Sequence, residues 1–390
     1  MDKKKNVFTE VKDAIDLINA FTLNPIKAIQ SYYLENGLKE TPIVLNPDDH
    51  KRNINSLDNS IKRSIDILSG RLDKLNFDFI KNYSKQITAD DTFFIHKPLR
   101  RVGIYAPYKM PSTVYTFLSA AKSAGVEELV VFLPVNKKDG SIDPASVYAA
   151  QRYNAEVLCG PSKYGFPLLA YGIDGIVKKC DKITGPCGAF INNIKQVTSI
   201  TGECDIDMSA GPSELVLATD NLDRLNQIKL DLLSQLEHGP DSKAYLILID
   251  KELSFENSEF NTELKNKRIE KLSFKNWDSA IDFINDLGPE TVVVYSKETE
   301  TIKEKINFAG VLYLNTINSL GDYGAIGRGC ADPTGKMAKS QSGISPLSFM
   351  KLLPVVESKR IDEEFITSSL VLSEYEGLYN HQSAIKNYLT

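Results

Sequence analysis

The sequence predicts an α/β fold built from two doubly wound parallel-sheet units, with helical segments at both ends. Three observations carry this. From Arg101 onward, short apolar runs rich in β-branched residues alternate with helical stretches. The alternation pauses in a small-residue segment, Met208–Glu214, and then resumes. The first hundred residues instead carry the three-and-four spacing of helices. At 390 residues the chain exceeds one ordinary domain.

In chain order, Leu57, Ile61, Ile65, Leu68, Leu72, Leu75 and Phe79 form one apolar stripe on a long helix whose start is left open at Asn59 or Ser60. Strands are expected at Val102–Ala106 and Leu129–Leu133, with a helix through Phe117, Leu118 and Ala121 ending at Gly125 between them. A second cycle has a helix from Pro144, a strand at Glu156–Cys159 and a helix across Phe166–Val177. After Glu214 come a strand at Leu215–Ala218, a helix at Leu222–Glu237, a strand at Tyr245–Ile249, a helix at Trp277–Leu287 and strands at Thr291–Tyr295 and Val311–Leu314. The charged stretch Lys251–Lys275 reads as solvated helix and loop. After about residue 345 the chain returns to helices, ending in Glu376–Leu389. Ligands on such sheets are expected at the carboxyl ends of the strands.

Composition bounds the function. Hydrophobic content of 42%, charged content of 25% and a net charge of −5 describe a soluble globular protein without the basic face of a nucleic-acid binder. Five scattered cysteines do not read as a disulfide framework. Met1–Lys5 is basic, but the Val11, Ile15 and Leu17 that follow are interleaved with charges, a poor signal peptide. Runs such as Tyr245–Ile249 and Val292–Tyr295 are too short to span a bilayer. A reduced cytoplasmic location is the expectation.

Histidine is scarce: His50, His96, His238 and His381 are all there are. Gln235 and His238 lie three apart near a helix end closed by Gly239-Pro240, so both side chains share one face. One helix can supply two metal ligands in this way; the plainer reading is capping or surface polarity. Asp322 sits among Gly321, Gly324, Gly327 and Gly329, either a loop that approaches a ligand closely or an ordinary tight turn. Met208–Glu214 suggests a crowded turn between domains, and His381 on its own reads as a surface residue.

Taken as an ordered series, these pieces resemble histidinol dehydrogenases. The resemblance rests on Asp207–Glu214 (DMSAGPSE), Asp231–Ser242 (DLLSQLEHGPDS), Gly321-Asp322-Tyr323 and Glu376–His381 (EGLYNH). Arg101–Pro107, Ala124–Val126, Ala170–Gly172 and Asp181–Pro186 support it, and it covers roughly residue 98 to the end. It implies oxidation of L-histidinol to L-histidine with two NAD, and a single zinc held by Gln235, His238, Asp322 and His381. It also implies a homodimer whose exchanged C-terminal helices bring His381 and Glu376 to the neighbour's site, with Ser213 and Glu376 on the substrate. Two Rossmann-like domains follow: residues 1–100 plus 214–345 for zinc and substrate, 101–213 on the NAD side, and 346–390 as a helical dimerisation segment.

Departures from the family pattern are specific. Its Pro-Glu-His-Leu segment is Pro289-Glu290-Thr291-Val292 here, so Glu290 remains while the general-base histidine becomes Thr291. Losing such a base costs roughly 10²–10⁴ in rate unless something substitutes. A second, substrate-touching histidine is missing, with Cys330 or Arg328 near its place. Tyr105 keeps one NAD contact, but the following glycine-rich segment is shortened to Tyr108-Lys109-Met110, and the expected Gln and Asn fall at Tyr164 and Gly188. Three readings follow: a divergent histidinol dehydrogenase with Glu290 as base, a zinc paralogue acting on another amino alcohol or sugar-like alcohol, or a non-catalytic protein that binds such a ligand.

Overall fold

A computed structural model describes residues 7–83, 87–89, 92–202, 204–251, 258–330, 332–357 and 361–388. The basic start Met1–Lys5, part of the charged stretch (252–257), Ala331 and Leu389 lie outside the described residues. Two compact units are present, a larger one of residues 1–82 and 98–350 and a smaller one of 83–97 and 351–390.

The larger unit opens with α1 (Val7–Leu23), α2 (Pro25–Glu35), α3 (Pro47–Ile54) and α4 (Asn59–Tyr83). Asp58 fixes the start of α4 by accepting a hydrogen bond from the Ser60 amide at 2.7 Å, as an N-cap does. Its buried face is Ile65, Ser69, Leu72 and Asn76, with Leu57, Leu68 and Leu75 partly buried beside it and Ile61 and Phe79 exposed. Ala14, Ile18, Phe21, Ile29, Tyr33, Ile65 and Leu72 share one apolar core with the sheet of residues 101–206. Hydrophobic burial therefore packs the N-terminal helices on the sheet of residues 101–206.

After β1 (Ile87–Ala89) and β2 (Thr92–Pro98), the first parallel sheet runs β3 (Arg101–Tyr105), α5 (Pro111–Ala124), β4 (Glu128–Pro134), α6 (Pro144–Gln151), β5 (Glu156–Gly160), α7 (Gly165–Tyr171), β6 (Lys182–Thr184), α8 (Ala189–Thr201) and β7 (Asp205–Ile206). Its strand order is β5-β4-β3-β6-β7. The helix expected across Phe166–Val177 stops at Tyr171, and Ile173 and Val177 bridge each other instead.

The second sheet repeats the plan: β8 (Glu214–Thr219), α9 (Leu225–Gln235), β9 (Lys243–Ile249), α10 (Ser258–Lys265), β10 (Ile269–Phe274), α11 (Trp277–Leu287), β11 (Thr291–Tyr295), α12 (Thr299–Lys305) and β12 (Val311–Leu314). Its order is β10-β9-β8-β11-β12, the same doubly wound arrangement. Period-two alternation splits the side chains: Leu215, Leu217, Val293 and Tyr295 pack with α9, while Val216, Ala218, Val292 and Val294 pack with α11. The charged stretch thus contains an edge strand, β10, one side of which is polar. Helix α13 (Ser319–Asp322) follows β12.

In the smaller unit β13 (Met350–Val356) pairs with β2 in a three-stranded sheet of order β1-β2-β13, a strand where helix alone was expected. Helices α14 (Glu363–Tyr375) and α15 (Tyr379–Tyr388) form a hairpin. It leaves Phe365, Val371, Leu372, Tyr375, Tyr379 and Tyr388 exposed. No described helix is long and apolar enough to cross a membrane.

Candidate active site

In a βαβ unit each helix returns the chain to the amino end of the next strand. Helix α9 therefore delivers its last residue, Gln235, to the amino edge of the second sheet, and a single 3₁₀ turn, Leu236–His238, continues it. Residues three apart eclipse in such a turn, which keeps His238 above Gln235. Arg268 anchors the turn, donating to the carbonyls of Leu236 at 2.7 Å and Gly239 at 2.9 Å. One turn earlier on α9, buried Asp231 accepts from the amides of Asn318 (2.9 Å) and Ser319 (3.2 Å) and from the Ser319 hydroxyl (2.8 Å). This carboxylate bolts α9 to the short helix that ends in Asp322.

Asp322 is thereby brought to His238, with Nε2 3.8 Å from Oδ2. Gly321 is required beside it, because a Cβ there would lie 1.8 Å from the Tyr313 hydroxyl. From the other side Arg71 of α4 donates to the carbonyls of Gly324 (2.7 Å) and Gly327 (2.9 Å), and Tyr115 of α5 donates to that of Tyr323 (2.9 Å).

At the same edge Ser213 immediately precedes β8 and Glu290 immediately precedes the neighbouring β11. Ser213 hydrogen-bonds the Glu290 carboxyl, whose Oε2 is buried without a partner. Burial, then the charges of Asp332 and Asp322, push that carboxyl well above its usual range. Asp322 is pushed up to about 7 by burial and by Asp231 and Asp332. Burial lowers His238, keeping its imidazole neutral with a lone pair available. Gln235 is 1% exposed and its Nε2 is an orphan, a buried amide with nothing to bond. An unpaired buried donor is costly, and a bound acceptor group would remove that cost.

Among the described residues no group of three or more His, Cys, Asp and Glu side chains stands close enough to hold a metal. The His238–Asp322 pair does stand together, and the orphaned amide of Gln235 belongs to the same helix end. A neutral imidazole and a carboxyl short of positive charge fit a divalent cation; Gln235 would join them through its amide oxygen, since the orphaned Nε2 is a donor and not a metal ligand.

The other expected residues fall as follows. Glu376 and His381 are exposed in the smaller unit. Thr291 is 5% exposed, the first residue of β11, in register between Leu215 and Val311. Tyr105 is a core residue, its ring stacked on Phe166 at 4.9 Å and Phe132 at 5.8 Å. Tyr164 stacks on Phe21, and Gly188 is the N-cap of α8. Cys330 lies 3.9 Å from the Thr113 hydroxyl, and burial raises its thiol to about 11. Arg328 is tied to Asp332 and to the Gly310 carbonyl at 3.0 Å.

Sequence reasoning missed Asp231, Arg268, Asp332 and Glu214. Asp231 was inside a quoted motif, but its role depends on a partner 87 positions away. It also placed ligands at the carboxyl ends of strands. At those ends of the second sheet Asp220 accepts from Trp277 Nε1 (3.0 Å) and Ser296 (2.6 Å), and Thr219 donates to the Tyr295 carbonyl (3.0 Å). The candidate site occupies the amino edge instead.

Two doubly wound sheets with an acid-rich, histidine-bearing site at one edge define an α/β protein of the open, doubly wound class, and comparison with known proteins narrows it. The family profile described as histidinol dehydrogenase matches residues 1–389. Histidinol dehydrogenase of Thermococcus kodakarensis is 32% identical over 301 residues, covering 75% of this chain and 76% of that one. That of Schizosaccharomyces pombe is 34% identical over 316 residues, covering 74% and 71%. The crystal structure of histidinol dehydrogenase from Elizabethkingia anophelis superposes with a TM-score of 0.85 at 23% identity, covering 100% of this chain and 93% of that one. An aldehyde dehydrogenase of Pseudomonas syringae shares the fold alone, with a TM-score of 0.53 at 12% identity over 80% of this chain and 84% of that one. The chain belongs to the histidinol dehydrogenase family, a family of oxidoreductases.

Proposed function

We propose that this chain is a divergent histidinol dehydrogenase that oxidises L-histidinol to L-histidine with two NAD and one zinc. The observation that carries the reading is the His238–Asp322 pair, half-buried at the end of the helix that holds buried Gln235, beside the Ser213–Glu290 pair. Gln235, His238 and Asp322 would hold the zinc, with His381 of a second copy completing the set. Zinc, when bound, supplies a Lewis acid, and NAD accepts the hydride.

Glu290 takes over the proton work that Thr291 cannot do, because a threonine hydroxyl is no base at neutral pH. Its unpartnered Oε2 accepts the alcohol proton in the first oxidation and a water proton in the second. Burial holds that proton tightly; a cation held at Asp322 would favour the carboxylate form. Ser213 keeps the carboxyl oriented and contacts the substrate, and Glu376 of the second copy binds the substrate's amino or imidazole end. The exposed apolar residues of α14 and α15 support a dimer formed through this segment. For NAD, the support is α8, whose Gly188 cap has open space in front and no side-chain hydrogen bond. The five free cysteines suit a reducing compartment such as the cytoplasm.

The test is steady-state NADH formation by the zinc-loaded protein given L-histidinol and NAD. Production that is lost in Gln235→Ala and His238→Ala supports the reading. The buried Thr291 and the core position of Tyr105 favour a second reading, a zinc paralogue for another amino alcohol or a non-catalytic binding protein. A histidinol-dependent rise in Tm without NADH supports that alternative. A sharp gain of turnover in Thr291→His marks an enzyme whose activity has eroded.

A further inference from the structure

Asp322 ends α13, a helix of four residues. A single turn is not stable by itself, so its place is set by what grips it at either end. At its start the grip is Asp231 of α9, in the half of the molecule built on the second sheet. Past Asp322 the grip comes from α4 and α5, in the half built on the first. Arg71 Nη1 donates to the carbonyls of Gly324 at 2.7 Å and Gly327 at 2.9 Å, and Tyr115 to that of Tyr323 at 2.9 Å. Leu72, the next residue of α4, is fully buried and presses on the same loop: a Cβ at Gly324, where φ is +69°, would lie 2.7 Å from its Cδ1. The gripped loop is tied back to α13 by its own backbone, from the Gly324 amide to the Gly321 carbonyl (2.8 Å) and from the Ala325 amide to the Leu320 carbonyl (3.0 Å).

We propose that Arg71, assisted by Tyr115, is a positioning residue for a divalent cation: through the Tyr323–Gly327 backbone it holds Asp322 opposite His238, 3.8 Å away, so that the cation meets both ligands already in place. The inference rests on the reading of these two residues as metal ligands. His238 is fixed independently, by α9 and by the bonds of Arg268 to the carbonyls of Leu236 and Gly239. Loosening Arg71 therefore lets Asp322 shift relative to His238 and does not move the two together. A guanidinium suits the task because it is charged at every working pH and its hydrogen bonds to carbonyls are charge-assisted. Loss of a residue that orients a metal ligand typically weakens metal binding by roughly 10–100-fold.

The test has two readouts on the full-length protein: zinc affinity, by competition with a chromophoric chelator, and amide hydrogen exchange in the metal-free state. Arg71→Met, which keeps the aliphatic stem, is expected to weaken zinc binding by about 10–100-fold and to speed exchange at Gly324 and Ala325 while α9 keeps its protection. Tyr115→Phe, the gentler change, should weaken zinc binding less, and Arg71→Lys should recover part of the loss. Lys195→Met, which breaks a buried ion pair of the first sheet, should lower stability and leave zinc affinity in place, separating positioning from loss of fold. Folded Arg71→Met and Tyr115→Phe that bind zinc as tightly as the wild type overturn the proposal. A wild type that binds no zinc refutes the metal reading instead; exchange at Gly324 and Ala325 that Arg71→Met leaves unchanged then overturns the grip on the Asp322 loop as well, and faster exchange upholds it.

Discussion

The two parallel sheets share a strand order but put opposite edges to use. In the first, the carboxyl edge is built for cohesion: Lys195 of α8 is fully buried, paired with Asp207 and donating to the Gly185 carbonyl at 3.1 Å. Asp207 also accepts from the amides of Gly185 (2.9 Å) and Met208 (2.7 Å), so its charge is fully partnered. In the second, the amino edge gathers Gln235, Glu290, Asp322 and Asp332 with one arginine among them, leaving an amide nitrogen and a carboxyl oxygen without partners. Satisfied charges hold a fold together; unsatisfied ones are retained where a ligand completes them.

Four perturbations sharpen this contrast. The largest effect is expected from His238→Ala, which removes a proposed ligand. Turnover should fall by more than the roughly 10–100-fold that follows loss of a residue supporting a ligand. Asp231→Asn is such a support loss and should fall within that 10–100-fold range, with Tm changing less than turnover; both are read in the NADH assay and by calorimetry.

Lys195→Met tests the other sheet. Stranding Asp207 as an uncompensated buried charge should cost about 3–5 kcal/mol in denaturant unfolding, and adding Asp207→Asn should recover part of it. The smallest effect is in the pH dependence of metal-free stability. Glu290 keeps its proton when folded but loses it when unfolded, so its contribution falls as pH rises from about 4.5 toward the raised folded value. Glu290→Gln should therefore melt higher than the wild type near pH 8, with the difference vanishing toward pH 4.

Much of the frame was legible where periodicity is strong. Strands β11 and β12 and helix α11 fall at the bounds their apolar patterns give, because a strand buried on both faces reads as an unbroken run. Edge strand β10 was hidden: only Ile269 is fully buried, and Lys271 and Ser273 face solvent. The two-residue strand β7 and three-residue β6 are too short to show a period. That Gln235 and His238 share one helix end was legible because helical spacing is local; their role as ligands came only with the resemblance. Asp322 could be tied to them only by resemblance, since the Asp231 hydrogen bonds that unite them are long-range. Asp332 was not legible, because its meaning lies in its packing against Gly310 and its grip by Arg328.

The most direct test of a working amino edge in the second sheet is to assay Glu290→Gln and Asp220→Asn side by side for histidinol-dependent NADH formation. The account predicts a loss of roughly 10²–10⁴ for Glu290→Gln and little change for folded Asp220→Asn, whose carboxylate accepts from Trp277 and Ser296 at the carboxyl edge. Activity that survives Glu290→Gln but disappears in folded Asp220→Asn would contradict it and move the chemistry to the opposite end of the strands.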